Sequence, residues 1–402
     1  MSDLRADVLV IGNGMFGSSV TRHLAERGVD VVCIGAPAVG SDGRHEPEEG
    51  WPAHRVYASH NDAARLTRRH SRDPGWTDIT ARAVDGYADI EARSGVRFHE
   101  PVGCLLASPP GGDGIEDDPV EMMQSAGIEH TAWAPGDRGW RDRFGELDLP
   151  DAHGVAFEPA PAGLIRPLRL IEAQNALTRM AGGRIEIGTV VNVSSTGAAS
   201  SDGRHRVTTA EGVTFEADRI VFAAGAFTNL NGLDVGADIT LKSEVIVLGE
   251  VAPDRAAELA SYPTVKWLIE SDDLQSIYQT PPIRFDDGRH YLKLGANTRL
   301  DHWMTDLDQI QRWFNTETDA DYLPLYEPVL RDLWPNIDFV SVSTRPCIIT
   351  YTADHIPLIE DLGDGRFVAT AGNGAGAKAA DSWGERAADL ITGTTPLDLS
   401  RD

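Results

Sequence analysis

The chain has little cysteine, no long apolar run and a marked shortage of basic residues. Three cysteines, Cys33, Cys104 and Cys347, stand far apart in 402 residues, and none belongs to a C-x-x-C pair. An odd, scattered set cannot build a disulfide framework and points to a reducing, cytoplasmic setting. No stretch approaches the 18 apolar residues that span a bilayer. The opening MSDLRADVLVIGNG carries acidic residues and too short an apolar run for a secretory leader. Lys and Arg number 36 against 62 Asp and Glu, a formal charge of -26. That excess opposes nucleic acid and anionic lipid as partners. His54, His60 and His70 match no metal-ligand spacing, so no metal is expected. The length suits two domains, or one with an inserted lobe, and no internal repeat is visible.

Glycine is abundant, and its placement carries information. Residues 7–34 read as strand, turn, helix, strand, with Gly12-Asn-Gly14-Met15-Phe16-Gly17 at the turn. A G-x-G-x-x-G lodged between a strand and a helix is a dinucleotide fingerprint. Gly12 permits the tight turn, Gly14 lets the backbone approach a pyrophosphate, and Gly17 lets the helix pack on the strand. The helix N-terminus then faces the phosphates. The acidic residue expected after the second strand, to hold a ribose, is replaced by Gly35. A second strand leads into Ala224-Gly225-Ala226, and a third strand, glycine loop and helix occupy 365–393. Three such turns spread along one chain suit a flavoprotein whose FAD domain is assembled from separated segments. Residues 86–150 and 240–335, with strand-like SEVIVLGEV and RHYLKLGAN and helical LDQIQRWFNTE, read as an antiparallel sheet with flanking helices. The expected fold is α/β: a Rossmann-like FAD-binding domain of the glutathione-reductase type, interleaved with an antiparallel-sheet substrate domain. Segments 1–88, 152–238 and 338–402 are assigned to the first, and 89–151 and 239–337 to the second.

The motifs resemble the D-amino acid oxidase superfamily, most closely its monomeric sarcosine oxidase branch, which includes N-methyltryptophan and pipecolate oxidases. Cys347-Ile-Ile-Thr350-Tyr-Thr352-Ala-Asp354 matches the branch's Cys-x-x-Thr-x-Thr-x-Asp. That resemblance implies FAD attached covalently through Cys347, at the head of a strand. Leu292-Lys293-Leu294-Gly295 is similar to the segment whose lysine promotes reaction with O2, and the loop Gly374-Ala375-Gly376-Ala377-Lys378 to the one whose lysine grips the substrate carboxylate. Arg65-Leu-Thr-Arg68 reproduces an Arg-x-x-Arg spacing on a helix, with Arg68 as carboxylate partner and Arg65 nearer the flavin. By the same resemblance FAD contacts Met15, Phe16, Val191, Ala224 and Gly225 besides the glycine turn. Cys33 and Cys104 read as packing residues. Two substrate-facing positions depart from the branch: Asn297 where it has histidine, and Ile349 where it has tyrosine. Trp51, Tyr57 and Trp303 are candidates for an altered lining. The resemblance implies oxidation of a secondary amine, cyclic imino acid or N-methyl amino acid bearing a carboxylate to an imine, with O2 reduced to H2O2, by a monomer or small homo-oligomer. A dehydrogenase using another acceptor, a tailoring desaturase and a protein that keeps FAD without turnover are the alternatives.

Overall fold

The computed structural model describes residues 4–35, 59–111, 118–195, 205–230, 232–269, 271–285 and 287–394. Trp51, Tyr57 and His54 lie outside the described residues.

Two large sheets organise the chain. Strand Arg5–Ile11 lies at the centre of an eight-stranded sheet, parallel to Val31–Gly35 on one side and Thr214–Phe222 on the other. Its apolar run is buried on both faces, as parallel strands require: Val8, Leu9 and Val10 have no exposed surface. Helix Met15–Glu26 covers one face and packs on the C-terminal helix Gly376–Thr392. The helices approach closely at Gly384, where a Cβ would stand 2.2 Å from Ser19 Oγ. Beside this contact Asp381 accepts from Arg22 (2.6 Å), Gln174 (2.8 Å) and Ser19 (3.2 Å), tying helix Pro167–Met180 to the other two. Burial opposes ionisation of Asp381, but bonds from His23, Arg22 and Gln174 outweigh it and hold the carboxyl well below its usual range.

The second sheet has nine strands, and among them Thr240–Val251 pairs antiparallel with both His290–Thr298 and Ser341–Tyr351. Period-two alternation divides its residues between two environments. Leu241, Val245 and Val247, with Leu292, Leu294, Ala296 and Ile348, pack under helix Asp319–Leu333 around Tyr326, Leu330 and Trp334. The opposite face carries Lys242, Glu244, Lys293, Asn297, Cys347 and Ile349. One register therefore sends Leu241, Val245 and Val247 to this core and Lys242 and Glu244 to the opposite face, where Ile246 and Leu248 pack in a separate cluster.

The strand pairing departs from the expected layout in three ways. Cys347 does not head its strand; it is the seventh residue of Ser341–Tyr351. That strand, and Gly154–Glu158, fall in segments assigned to the FAD domain, yet both pair within the nine-stranded sheet. Arg65 and Arg68 are not on a helix. Arg65–Thr67 is a short strand paired with Gly163–Ile165, and the next helix begins only at Pro74, which cannot donate to the turn before it. No helix among the described residues is long and apolar enough to cross a membrane.

Candidate active site

A cavity of about 1330 Å³ runs between the sheets. It exceeds the roughly 300–1,000 Å³ typical of a small-ligand pocket. One end is walled by Gly12, Asn13, Gly14, Gly35 and Val191, the other by Arg68, Glu244, Asn297, Cys347, Ile349 and Lys378.

The glycine end has a built-in anion preference. Gly12 takes φ +109°, and a Cβ there would lie 2.5 Å from the Ala223 carbonyl oxygen. A Cβ on Gly17 would overlap the Gly12 oxygen at 1.8 Å, so Gly17 serves the strand–helix packing and does not line the cavity. Helix Met15–Glu26 begins with no side-chain cap and no acid in its first turn, leaving its N-terminal amides for a ligand. Asn13 Oδ1 beside it is buried without a hydrogen-bond partner. Helix Gly376–Thr392 likewise starts uncapped, and its first three residues, with Gly374 and Ala375 before them, line the cavity; Lys378 is thus on the first helical turn and not in a loop. These features fit a bound dinucleotide. The structure also explains the missing acid. A Cβ on Gly35 would stand 2.4 Å from Asn13 Cβ, so no larger residue fits there.

The opposite end gathers cations. Arg68 and Lys378 are buried and both line the cavity. Half-buried Arg65 donates to Asp62 and to the Ser59 carbonyl (2.7 Å), and its Nη2 lies 3.8 Å from Cys347 Sγ. Lys293 is nearby but not on the wall. It has no exposed surface, pairs with Asp62, donates to the Ala64 carbonyl (2.7 Å) and sits 5.2 Å from the Tyr278 ring centroid. Burial first, then the Arg65 charge, pushes its ammonium well below the ordinary lysine range.

The matching family, described as FAD dependent oxidoreductase, spans residues 7–390. The chain belongs to the FAD dependent oxidoreductase family. It is 26% identical over 250 residues to monomeric sarcosine oxidase of Streptomyces avermitilis, covering 60% of this chain and 57% of that one. It is 21% identical over 230 residues to N-methyl-L-tryptophan oxidase of Yersinia pestis, covering 55% and 54%. The chain thus matches little more than half the length of these relatives. The fold is shared with NikD, an unusual amino acid oxidase essential for nikkomycin biosynthesis (TM-score 0.71, 20% identity, 98% and 96% coverage). It is shared too with L-proline dehydrogenase from P. horikoshii (TM-score 0.69, 17% identity, 97% and 94% coverage).

Within this FAD dependent oxidoreductase most residues singled out from the sequence meet at the cavity: Met15, Phe16, Ala224, Gly225 and the whole Gly374–Lys378 segment join those named above. Trp303 does not. It is 60% exposed and meets Tyr351 edge-on at 6.1 Å. Cys33 and Cys104 are fully buried, which pushes their thiols up to about 12 and about 11. His60 lines the cavity, and burial with the Arg65 charge holds its imidazole down at about 4. His70 is engaged by Glu158 at 2.8 Å. Among the described residues no group of three or more His, Cys, Asp or Glu is placed to hold a metal. Sequence reasoning missed Glu244, Lys242 and Tyr278. The signal for the first was an acid directly before the apolar run Val245–Leu248 of a strand, where a buried charge needs a reason.

Proposed function

We propose that the protein oxidises the C–N bond of a carboxylate-bearing secondary amine, cyclic imino acid or N-methyl amino acid to an imine, passing the electrons to O2 to give H2O2. The observation that carries this reading is that Arg68 and Lys378, both buried, line the same cavity as Cys347. Two cations in a poorly solvated pocket are a carboxylate clamp, the arginine supplying a planar fork and the lysine a point charge. FAD, when bound, supplies the two-electron acceptor. Its pyrophosphate is assigned to the uncapped helix at Gly14–Gly17, and its covalent tether to the Cys347 thiol. Arg65 Nη2 lies 3.8 Å from that sulfur. The clamp also favours the neutral form of the substrate amine, whose lone pair is needed for imine formation. Segments 1–88, 152–238 and 338–402 are proposed to carry the cofactor and the remainder the substrate, with strands Gly154–Glu158 and Ser341–Tyr351 crossing to the second sheet. The three unpaired cysteines accord with a cytoplasmic enzyme.

A second reading keeps the amine and changes the acceptor to a quinone or carrier protein. It is favoured by the pairing of Lys293 with Asp62, which offsets the positive charge that would assist O2 reduction. Peroxide measured against imine over a panel of N-methyl and cyclic amino acids separates the two. One peroxide per imine supports the oxidase; imine formed only with an added quinone supports the second reading; no imine from any carboxylate-bearing amine refutes both.

A further inference from the structure

Glu244 stands where the known features of the cavity leave a chemical need. It is 5% exposed yet lines the cavity, in the middle of the sheet face that forms its floor. Across one strand boundary its register partner is Cys347. Across the other, the pairing of Ile246 with Gly295 leads two residues on to Asn297. The carboxyl thus lies between the assigned flavin anchor and a substrate-facing position.

Its bonding is incomplete. Glu244 Oε2 is buried with no hydrogen-bond partner. Lys242 Nζ is 3.4 Å away but directs its own bonds to Asn297 Oδ1 and Asp301 Oδ2, 2.6 Å each. A carboxylate so placed is stabilised by a further cation, because burying a charge short of partners is costly. The substrate assigned above brings one. Its carboxylate is met by Arg68 and Lys378, but its secondary amine is an ammonium in water and meets no acceptor in that clamp.

We propose that Glu244 is the specificity-determining carboxylate that receives the cationic nitrogen of the substrate and takes its proton. The proposal rests on the amino-acid reading of the site. In the step, one N–H bond of the ammonium breaks, its electron pair stays on nitrogen as the lone pair, and the proton forms an O–H bond with Glu244, which later yields it to water. The carboxyl is tuned for this. Burial raises it to about 7, against the lowering effect of Lys242 and, less, of Arg65, and with Asp301 raising it further. The other titratable groups facing it are Lys293 and Tyr278 from neighbouring strands, Cys347, Tyr351, and Tyr322 and Tyr326 from the helix beneath. A neutral carboxylic acid at pH 6 could not accept, and a carboxylate at pH 8 can.

The test uses the flavin-loaded enzyme and two probes that cannot form an imine: trimethylglycine, a permanent cation with a carboxylate, and methoxyacetate, a carboxylate without the cation. Calorimetric Kd values are measured on both sides of neutrality for wild type, Glu244→Gln and Glu244→Asp. Expected is trimethylglycine affinity that improves about tenfold or more as pH rises through about 7, one such factor being 1.4 kcal/mol, while methoxyacetate shows no such gain. Glu244→Gln removes that gain and changes methoxyacetate binding by less than about twofold, whereas Glu244→Asp keeps the gain in part. A gain that survives in Glu244→Gln overturns the proposal, as does a wild type that binds methoxyacetate but never trimethylglycine. A wild type that binds neither probe at any pH instead removes the carboxylate clamp, and the proposal falls with the reading beneath it.

Discussion

Replacing Glu244 with glutamine should stabilise the protein above neutral pH and do little in acid. Burial raises this carboxyl from its ordinary 4.5 to about 7, net of the opposing Lys242 charge 3.4 Å away. A group whose folded pKa lies above its unfolded value favours the fold while it is protonated. Its contribution is fully present below about pH 4.5 and is lost as pH rises through about 7. The gap between the two values, at 1.36 kcal/mol per pKa unit, amounts to about 3 kcal/mol. Glutamine keeps the shape and never ionises, so the variant escapes that loss. Lys242 retains Asp301 and Asn297 as partners. Urea unfolding of wild type and Glu244→Gln with equal flavin content, followed by tryptophan fluorescence, should show a stability difference that grows by about 3 kcal/mol between pH 4 and pH 8. A difference constant across that range, or a variant less stable at pH 8, refutes the raised pKa and the picture of an under-compensated charge. The expected outcome is a trade of stability for function.

Four other outcomes are expected. Acid precipitation should leave flavin with the wild-type protein and release it into the supernatant for Cys347→Ser; flavin free in both would remove the tether. Asp381→Asn should cost roughly 3 kcal/mol at pH 7 by removing the anion that buried Arg22 shares with the helix junction, leaving it Glu26 alone as an ion-pair partner. Because the Asp381 carboxyl is held low, that loss should shrink as pH falls through its folded pKa, which thermal melts at neutral and acid pH would show. Gly35→Asp, which restores the acid usual after a second strand, should lower both melting temperature and flavin content because its Cβ meets Asn13 at 2.4 Å; tighter flavin retention would contradict this. Lys293→Met should slow reoxidation of reduced flavin by O2 about a hundredfold while leaving anaerobic reduction by substrate within a few-fold, as stopped-flow absorbance can separate. Unchanged reoxidation would favour the non-oxygen acceptor.

Local patterns in the chain revealed the cofactor architecture. The strand–glycine–helix turn at residues 11–16 and the loop and helix start at 372–378 are short-range features whose residue types follow from backbone approach, and both line one cavity. SEVIVLGEV and RHYLKLGAN read as strands, and their antiparallel register places Glu244, Lys293 and Asn297 on one face. What escaped was set by contacts distant in sequence. Nothing near Lys293 announces that Asp62, 231 residues away, closes over it and removes it from the cavity wall. The short Arg65–Thr67 strand exists because Gly163–Ile165 offers it a ladder, a pairing that local periodicity does not contain. Gly35 looked like a missing ribose contact and is better understood as space required by Asn13. Trp303 is aromatic and close in sequence to Asn297, yet the turn between them carries it to the surface.

The central claim, that the C–N bond of an amino acid is oxidised in this cavity, is tested most directly by anaerobic mixing of the flavoprotein with N-methyl and cyclic amino acids, beside the same compounds with the carboxylate amidated. The account predicts loss of the visible flavin absorbance with at least one free acid, and with its amide only at concentrations about a hundredfold higher or not at all, since truncating one partner of a buried charge pair costs 2–5 kcal/mol. Bleaching by acid and amide alike would contradict the Arg68–Lys378 clamp, and flavin left oxidised by every acid would contradict the reaction itself.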